Sequence, residues 1–254
     1  MTNDEIVAQL TALETQKNIR IVYACESGSR AWGFPSPDSD YDIRFLYVRP
    51  INEYLSVFPG KDVIDLPIDG DSDMGGWDMR KAFALLRKSN SALIEWLSSP
   101  IVYRQQGGAI QIMKDMVEPS FLAGTACHHY LSLAKKKIDE VESQDVVKLK
   151  SYFYALRATL CASYIVDQVA PPPMRIDGLI AAYLPGELKA SYDELLQQKM
   201  NSIESHREPR QNWLDQFLRK KISEVTGSIP VNQKRQATEV YNQAFRDCLN
   251  LVWA

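Results

Sequence analysis

Segments that favour β-strands are confined to the first part of this chain, and this asymmetry constrains its fold more than any other feature. Runs rich in β-branched and aromatic residues lie at 19–25, 41–49, 62–68, 72–77 and 100–103. From Phe121 onward, apolar residues recur instead at helical spacing, most clearly over residues 148–166. The pattern predicts an α+β fold, with a mixed domain at residues 1–112 and a helical bundle at residues 113–254.

The composition is that of an ordinary globular protein. The 254 residues are 45% hydrophobic and 24% charged with a formal net charge of -3, so no global basic field indicates nucleic-acid binding, although a local basic face is compatible with it. The four cysteines are far apart and lack a Cys-x-x-Cys motif, which suits a reducing compartment. No apolar window is long enough to span a membrane, and the acidic N-terminus does not resemble a signal peptide. We therefore expect a cytoplasmic protein without membrane contact.

A Gly-Ser turn and an Asp-x-Asp pair flank a proline-containing loop between the first two predicted strands. Asp40 and Asp42 lie at the start of the second strand, where side chains two residues apart point the same way. Two ionised carboxylates on one side repel each other unless they face water or a cation, and such hard oxygen ligands suit Mg²⁺. Gly28 and Ser29 offer an unobstructed backbone, amide donors and a hydroxyl to a triphosphate. Taken separately, both motifs are also common as strand caps and ordinary turns.

The stretch "GSRAWGF…SDYDIRFLYV" resembles the Gly-Ser…Asp-x-Asp signature of the DNA polymerase β-like nucleotidyltransferase superfamily. The run "GGWDMRKAFALLRKSNSALIEWLSSPIVY" and the later "YFYALRA" are similar to a narrower family called YcgL-like or RlaP-like, the latter name for proposed RNA repair. The resemblance covers most of residues 20–165, with Asn90-Ser91 where the family usually has Asn-Pro. It implies a small mixed β-sheet nucleotidyltransferase domain flanked by helices, here residues 1–112, followed by a helical substrate-binding domain at 113–254.

The resemblance also implies roles for the residues of the two motifs. Asp40 and Asp42 correspond to the catalytic carboxylates that bind metal in the superfamily, and the metal would be Mg²⁺ or Mn²⁺. Gly28 and Ser29 correspond to the turn that contacts the phosphates of the nucleotide.

A third carboxylate on a neighbouring strand would complete a site for two metal ions. Asp73 lies within a strand-like run, and Asp78 lies at its end, before a predicted helix that Asp78 could instead cap. Strand alternation places these two residues on opposite faces, so only one is expected in the site. We favour Asp73 as the third catalytic and metal-binding residue over Asp78, with Asp65 as a less favoured alternative.

Three basic residues near these motifs are candidates for nucleotide binding. Arg30 follows the Gly-Ser turn closely enough to reach a phosphate. Arg44 shares the carboxylate face of its strand, so it either pairs with Asp42 or contacts the nucleotide. Lys81 lies in the helix that follows Asp78, and it either binds phosphate or is solvated.

A further candidate set lies in the helical part of the chain. Lys150, Tyr154 and Arg157 fall on one side of a predicted helix. A stripe of cations with an aromatic ring suits the charge of a triphosphate and the stacking of a base. A solvent-exposed helix face is the alternative interpretation.

Together, these features predict a Mg²⁺-dependent nucleotidyltransferase that moves a nucleoside monophosphate from an NTP, by default ATP, to an acceptor hydroxyl. The acceptor expected first is an RNA or tRNA end, which follows from the RNA-repair name of the family. A protein hydroxyl, giving AMPylation, and a small molecule such as an aminoglycoside are alternative acceptors. A non-catalytic nucleotide-binding protein or a toxin–antitoxin partner is the rival from another class, but such a protein would have no use for an intact Asp-x-Asp pair.

Overall fold

The computed structural model describes residues 1–68 and 70–253 and divides the chain into two compact units. The sheet unit consists of Met1–Ala31, Asp40–Ser120 and Lys234–Ala254. The helical unit consists of Trp32–Ser39 and Phe121–Gln233. The helical unit is thus inserted into the sheet unit along the sequence.

Helices and strands are interspersed up to residue 120. In chain order they are α1 (Asn3–Lys17), β1 (Arg20–Glu26), α2 (Gly28–Trp32), β2 (Tyr41–Val48), α3 (Ile51–Tyr54), β3 (Val63–Asp65), β4 (Ser72–Asp78), α4 (Met79–Leu86), α5 (Ser91–Leu97), β5 (Val102–Gln105), α6 (Gly107–Asp115) and α7 (Val117–Ser120). The remainder is α8 (Ala123–Glu142), β6 (Val146–Lys148), α9 (Leu149–Gln168), α10 (Ile176–Tyr183), α11 (Lys189–Asn201), β7 (Arg207–Pro209), α12 (Asn212–Thr226) and α13 (Thr238–Trp253). None of the helices in the described ranges is long and apolar enough to cross a membrane.

The five strands of the sheet unit form one mixed sheet in the order β3-β4-β2-β1-β5. Strands β2 and β4 run parallel, whereas the other neighbouring pairs are antiparallel. The predicted α+β fold with a small mixed sheet and a helical part is confirmed. The register of the parallel pair places Asp42 directly opposite Asp73.

Strand β2 separates two apolar layers, as its alternation predicts. Ile43, Phe45 and Tyr47 lie on one face in a buried cluster that includes the apolar side of α1. Leu46 and Val48 lie on the other face, in a cluster with residues of α4, α5, α6 and α13. Asp42 and Arg44 belong to this second face by parity, and they lie at the end of the strand where the chain enters it.

The C-terminal helix α13 differs from the sequence-based domain division. The prediction assigned everything after residue 112 to the helical bundle, whereas α13 belongs to the sheet unit. Its buried stripe of Tyr241, Ala244, Cys248 and Leu249 joins the apolar cluster that contains Ala109, Ile110 and Met113 of α6. A buried apolar stripe specifies that a helix packs, but the stripe does not specify the surface that it packs against.

The helical unit is built mainly on the antiparallel contact of α8 with α9, and α12 packs against both helices. Tyr130, Leu131, Ala134 and Ile138 supply the buried side of α8. A short antiparallel pair of strands that are far apart in sequence, β6 with β7, was not predicted in this part of the chain. Three residues on each strand are too few for an alternation that the sequence could reveal.

Candidate active site

The Gly-Ser turn lies directly against the carboxylate of Asp42. Gly28 has a φ of +61°, and a Cβ built on it would stand 2.0 Å from Asp42 Oδ2. The backbone N–H of Ser27 donates to the Asp42 carbonyl at 2.8 Å, which holds the turn beside the start of β2. Gly28 and Ser29 are themselves buried. Only glycine combines this left-handed backbone with so close an approach to the carboxylate.

The carboxylates of Asp42 and Asp73 are joined by one guanidinium. Arg44 Nη2 lies 3.1 Å from Asp42 Oδ1 and 2.6 Å from Asp73 Oδ2. Arg44 Nη1 donates to the backbone carbonyls of Ile43 at 3.1 Å and of Asp73 at 2.8 Å. The side chains of Asp42 and Asp73 keep 30% and 38% of their surface exposed. The two carboxylates therefore face solvent side by side, and their repulsion is offset by a cation from their own sheet.

Asp40 and Arg30 lie beside this pair. Asp40 is exposed and immediately precedes β2, two residues before Asp42. Arg30 Nε donates to the backbone carbonyl of Asp40 at 3.1 Å, and its guanidinium carbon lies 4.0 Å from the centroid of the Tyr41 ring. The contact fixes Arg30 at the same end of the sheet as the Gly-Ser turn.

The two alternative acids occupy different places on the sheet. Asp78 is opposite Tyr47, five residues and roughly 16 Å along β4 from Asp73. Its carboxylate caps α4 by accepting from the Arg80 N–H at 2.8 Å, and it accepts from the Tyr54 hydroxyl at 3.0 Å. Burial raises the pKa of Asp78, partly offset by these hydrogen bonds. The structure therefore brings Asp73, and not Asp78, to Asp42.

Asp65 and Lys81, the other two candidate residues in the sheet unit, differ in their proximity to Arg44. Asp65 pairs with Gly75 of β4, which itself pairs with Arg44 of β2, so the three stand in one row across the sheet. Lys81 Nζ lies 3.0 Å from Asp62 Oδ1 in an ion pair away from this row. Asp65 is thus near the guanidinium of Arg44, whereas Lys81 forms its ion pair with Asp62.

Glu26 is a component of the site that the sequence did not indicate. Its side chain is completely buried, Oε1 accepts from the backbone N–H of Asp42 at 2.8 Å, and Oε2 accepts from the hydroxyl of Tyr103. Burial raises the pKa of Glu26, and the hydrogen bonds from Tyr103 and Asp42 oppose that rise. A glutamate at a strand end is usually exposed, so only its tertiary placement reveals that it holds the strand carrying Asp42.

The sequence profile of RlaP, described as the RNA repair pathway DNA polymerase beta family, matches residues 2–247. The chain belongs to this family. Its relative YcgL from Bacillus subtilis (strain 168) is 35% identical over 251 residues, which cover 98% of this chain and 96% of the relative. A crystal structure of a nucleotidyltransferase-like protein from Exiguobacterium sibiricum 255-15 aligns with a TM-score of 0.31 and 10% identity over 96% of this chain and 78% of that one. The predicted family is confirmed.

The stripe on α9 of this RlaP-family chain makes its contacts within the helical unit. Lys150 Nζ lies 2.6 Å from Glu204 Oε2. Tyr154 meets the Trp32 ring edge-on at 5.0 Å, and the Arg157 guanidinium carbon lies 4.4 Å from the centroid of the same ring. Arg157 is only 4% exposed. The three side chains do lie on one side of the helix, as predicted, and their contact with a nucleotide stays a prediction.

The donor chemistry of the RlaP-family site fits a divalent cation. Asp42 and Asp73 are hard oxygen ligands side by side, and a positively charged group already stands between them. Within residues 1–68 and 70–253, no group of three or more His, Cys, Asp or Glu side chains stands close enough to hold a metal ion. The two carboxylates share the Nη2 atom of Arg44, which lies between them.

Proposed function

We propose that this RlaP-family protein is a metal-dependent nucleotidyltransferase that moves a nucleoside monophosphate from an NTP, ATP by default, to a hydroxyl at an RNA or tRNA end. The observation that supports it best is the placement of Asp42, beside Asp73 on the parallel strand and against the backbone of Gly28. A carboxylate pair that abuts a side-chain-free turn is suited to the triphosphate of a nucleotide and its cation.

Each residue in the site takes a distinct role in this proposal. Asp42 and Asp73, together with Asp40 two residues before Asp42, would hold Mg²⁺ or Mn²⁺. When bound there, the ion would supply neutralisation of the negative charge that the triphosphate carries. The turn at Gly28 and Ser29 binds the β- and γ-phosphates through its backbone. We prefer Asp73 to Asp78 as the third carboxylate because of its register with Asp42.

The reaction is a displacement at the α-phosphorus. A hydroxyl oxygen of the acceptor forms the new bond, the bond to the β-phosphate oxygen breaks, and pyrophosphate leaves. The acceptor proton passes to a carboxylate of the site or to solvent. Most of the rate enhancement would come from positioning and charge neutralisation, because this chemistry needs no covalent intermediate on the protein.

The RNA acceptor is supported by the family description, which refers to an RNA repair pathway. A protein hydroxyl and a small-molecule hydroxyl remain the alternative acceptors, and a nucleotide-binding partner in a toxin–antitoxin pair is the non-catalytic alternative. We also propose a cytoplasmic location, because the four cysteines form no disulfide and all lie buried as thiols.

The deciding experiment supplies each α-³²P-labelled NTP in turn with Mg²⁺ or Mn²⁺, total cellular RNA and total protein. Asp42→Asn tests the site, and Asp115→Asn is the matched control, because Asp115 is an exposed acid at the end of α6. Label that enters RNA with wild-type and Asp115→Asn protein, but not with Asp42→Asn protein, supports the proposal. Label in protein identifies AMPylation instead. If no label is transferred and calorimetry detects no NTP binding, the proposed enzymatic function is excluded.

A further inference from the structure

We propose that Arg44 is an internal counter-ion that holds Asp42 and Asp73 together until a divalent cation displaces it, after which its guanidinium binds the phosphates of the nucleotide. This inference rests on the proposed function and adds a coupling between metal and nucleotide. It also joins the two roles that the sequence left open for Arg44, pairing with Asp42 and contact with the nucleotide.

The contacts of Arg44 place its guanidinium between the carboxylates of Asp42 and Asp73 rather than to one side of them. Its Nη2 is shared by Asp42 Oδ1 and Asp73 Oδ2, at 3.1 and 2.6 Å. Its Nη1 adds two backbone carbonyls at 2.8 and 3.1 Å. A guanidinium with these partners is an ordered, strongly held cation rather than a loosely solvated surface arginine.

The charges favour an exchange of cations at this place. Asp42 and Asp73 carry two negative charges, and one guanidinium neutralises only one of them. Asp65 stands in the same row across Gly75 and adds a further carboxylate near the guanidinium, and exposed Asp40 lies two residues before Asp42 in the chain. A doubly charged ion at a given distance is attracted twice as strongly as a singly charged one, although it must also shed more water.

The backbone leaves space for the side chain to move. Arg44 is fixed in the middle of the sheet between Cys25 of β1 and Gly75 of β4, so only its side chain is able to relocate. Position 75 has no side chain, and a Cβ there would lie 3.1 Å from Asp65 Oδ1 and 3.9 Å from Arg44 Nη1. Glycine therefore keeps the row between Arg44 and Asp65 open at the surface of the sheet.

Displacement of the Arg44 guanidinium by the metal couples metal binding to nucleotide binding thermodynamically. A guanidinium that leaves two carboxylates needs another anion, and the fork of an arginine matches phosphate oxygens well. Bound nucleotide would therefore ease the entry of the metal, and bound metal would strengthen nucleotide binding by the same factor. Without Arg44, each ligand would bind with less dependence on the other.

The test measures Mn²⁺ binding by electron paramagnetic resonance, with and without a nonhydrolysable α,β-methylene analogue of ATP. We compare wild type with Arg44→Met, which keeps the length of the side chain and removes the charge. Arg20→Met is the matched control, because it removes the same charge from an exposed residue opposite Val48, roughly 13 Å along β2 from Arg44.

Arg44→Met should bind Mn²⁺ roughly tenfold more tightly than wild type when nucleotide is absent, because a competing cation near partly exposed carboxylates has been removed. Arg20→Met should bind Mn²⁺ like wild type. The ATP analogue should tighten Mn²⁺ binding to wild type and have a clearly smaller effect on Arg44→Met. Arg44→Lys keeps the charge without the forked guanidinium. Its Mn²⁺ affinity and its response to the ATP analogue should lie between those of wild type and Arg44→Met.

Folding is monitored in the same samples by thermal melting in circular dichroism. Arg44→Met should melt below wild type without metal and recover when Mn²⁺ is added, because the ion replaces the missing charge. Equal or weaker Mn²⁺ binding by folded Arg44→Met, with normal binding by wild type, would overturn the counter-ion role alone. If neither protein binds Mn²⁺, the metal site and with it the proposed function are also excluded.

Discussion

Gly28 and Asp42 are in such close contact that no residue with a Cβ fits at position 28 without moving the carboxylate. The distance from the missing Cβ to Asp42 Oδ2 is 2.0 Å. We expect Gly28→Ala to abolish nucleotide transfer and to lower the free energy of unfolding by about 1–3 kcal/mol, since it adds both backbone strain and a displaced carboxylate. Transfer assays and urea unfolding measure the two effects.

Gly107→Ala is the matched control for this variant. Gly107 has a φ of +51°, similar to that of Gly28, but a Cβ there meets nothing within 4 Å. The control therefore carries the backbone strain without the clash and should retain transfer. Equal activity of the two variants would show that the contact between Gly28 and Asp42 has no functional importance.

The positions of Asp73 and Asp78 predict opposite consequences for the same substitution. Asp73→Asn should remove most nucleotide transfer and change unfolding by only about 0–1 kcal/mol, because its ion pair is partly exposed. Asp78→Asn should lower the free energy of unfolding by about 1–2 kcal/mol through the weakened helix cap and its buried hydrogen bonds. Its transfer rate per folded molecule should stay near wild type. The reverse pattern would assign the third carboxylate to Asp78.

Glu26 should contribute a pH-dependent term to stability. Burial raises its pKa above the ordinary 4.5, so the folded state binds this proton more tightly than the unfolded state. The stabilisation is complete below pH 4.5 and is lost as the pH rises through the raised pKa. Glu26→Gln cannot ionise, so its free energy of unfolding should increase relative to wild type as the pH rises above 4.5.

Two further variants separate the charge of Glu26 from its hydrogen bonds. Glu26→Gln keeps an acceptor for the Asp42 N–H and should retain nucleotide transfer. Glu26→Leu removes that acceptor and should lose nucleotide transfer. Exposed Glu118→Gln serves as the control and should show no change with pH relative to wild type. A pH-independent difference between Glu26→Gln and wild type would contradict the assignment.

The cysteines should not react with thiol reagents in the native protein. Burial raises the pKa of Cys25 and of Cys248 to about 12 and that of Cys127 to about 11, and Cys161 is buried as well. Both the low thiolate fraction and the lack of access slow the reaction. We expect Ellman's reagent to titrate four thiols in guanidinium chloride and essentially none without it. Rapid labelling of a native thiol would indicate local opening.

The sequence predicted those features that depend on local pattern. The alternation of Ile43 and Phe45 with Asp42 and Arg44 identified both faces of β2, because a strand has a period of two wherever it is placed. The cap formed by Asp78 was foreseen as an alternative for the same reason. The proximity of Asp73 to Asp42 depends on the register of two strands, which no local pattern reports, so the preference for Asp73 rested only on its position within a strand-like run.

Partners distant in the chain could not be predicted. Lys81 pairs with an acid 19 residues away, and Lys150 pairs with one 54 residues away, so the sequence showed only two cations on helices. Glu26 was missed because nothing local marks a strand-end glutamate as buried. The assignment of α13 to the sheet unit likewise depends on which apolar surface is left for it to cover.

The return of α13 to the sheet unit has a consequence for synthesis on the ribosome. After residue 120 has been translated, the apolar surface of α6 stays uncovered until Thr238–Trp253 has emerged. At about 5–20 residues per second, the intervening helical unit alone takes roughly 6–25 s to synthesise. The helical unit is contiguous apart from Trp32–Ser39 and is the first to be complete, so the nascent chain must carry a sheet unit that still lacks α13 while the helical unit folds.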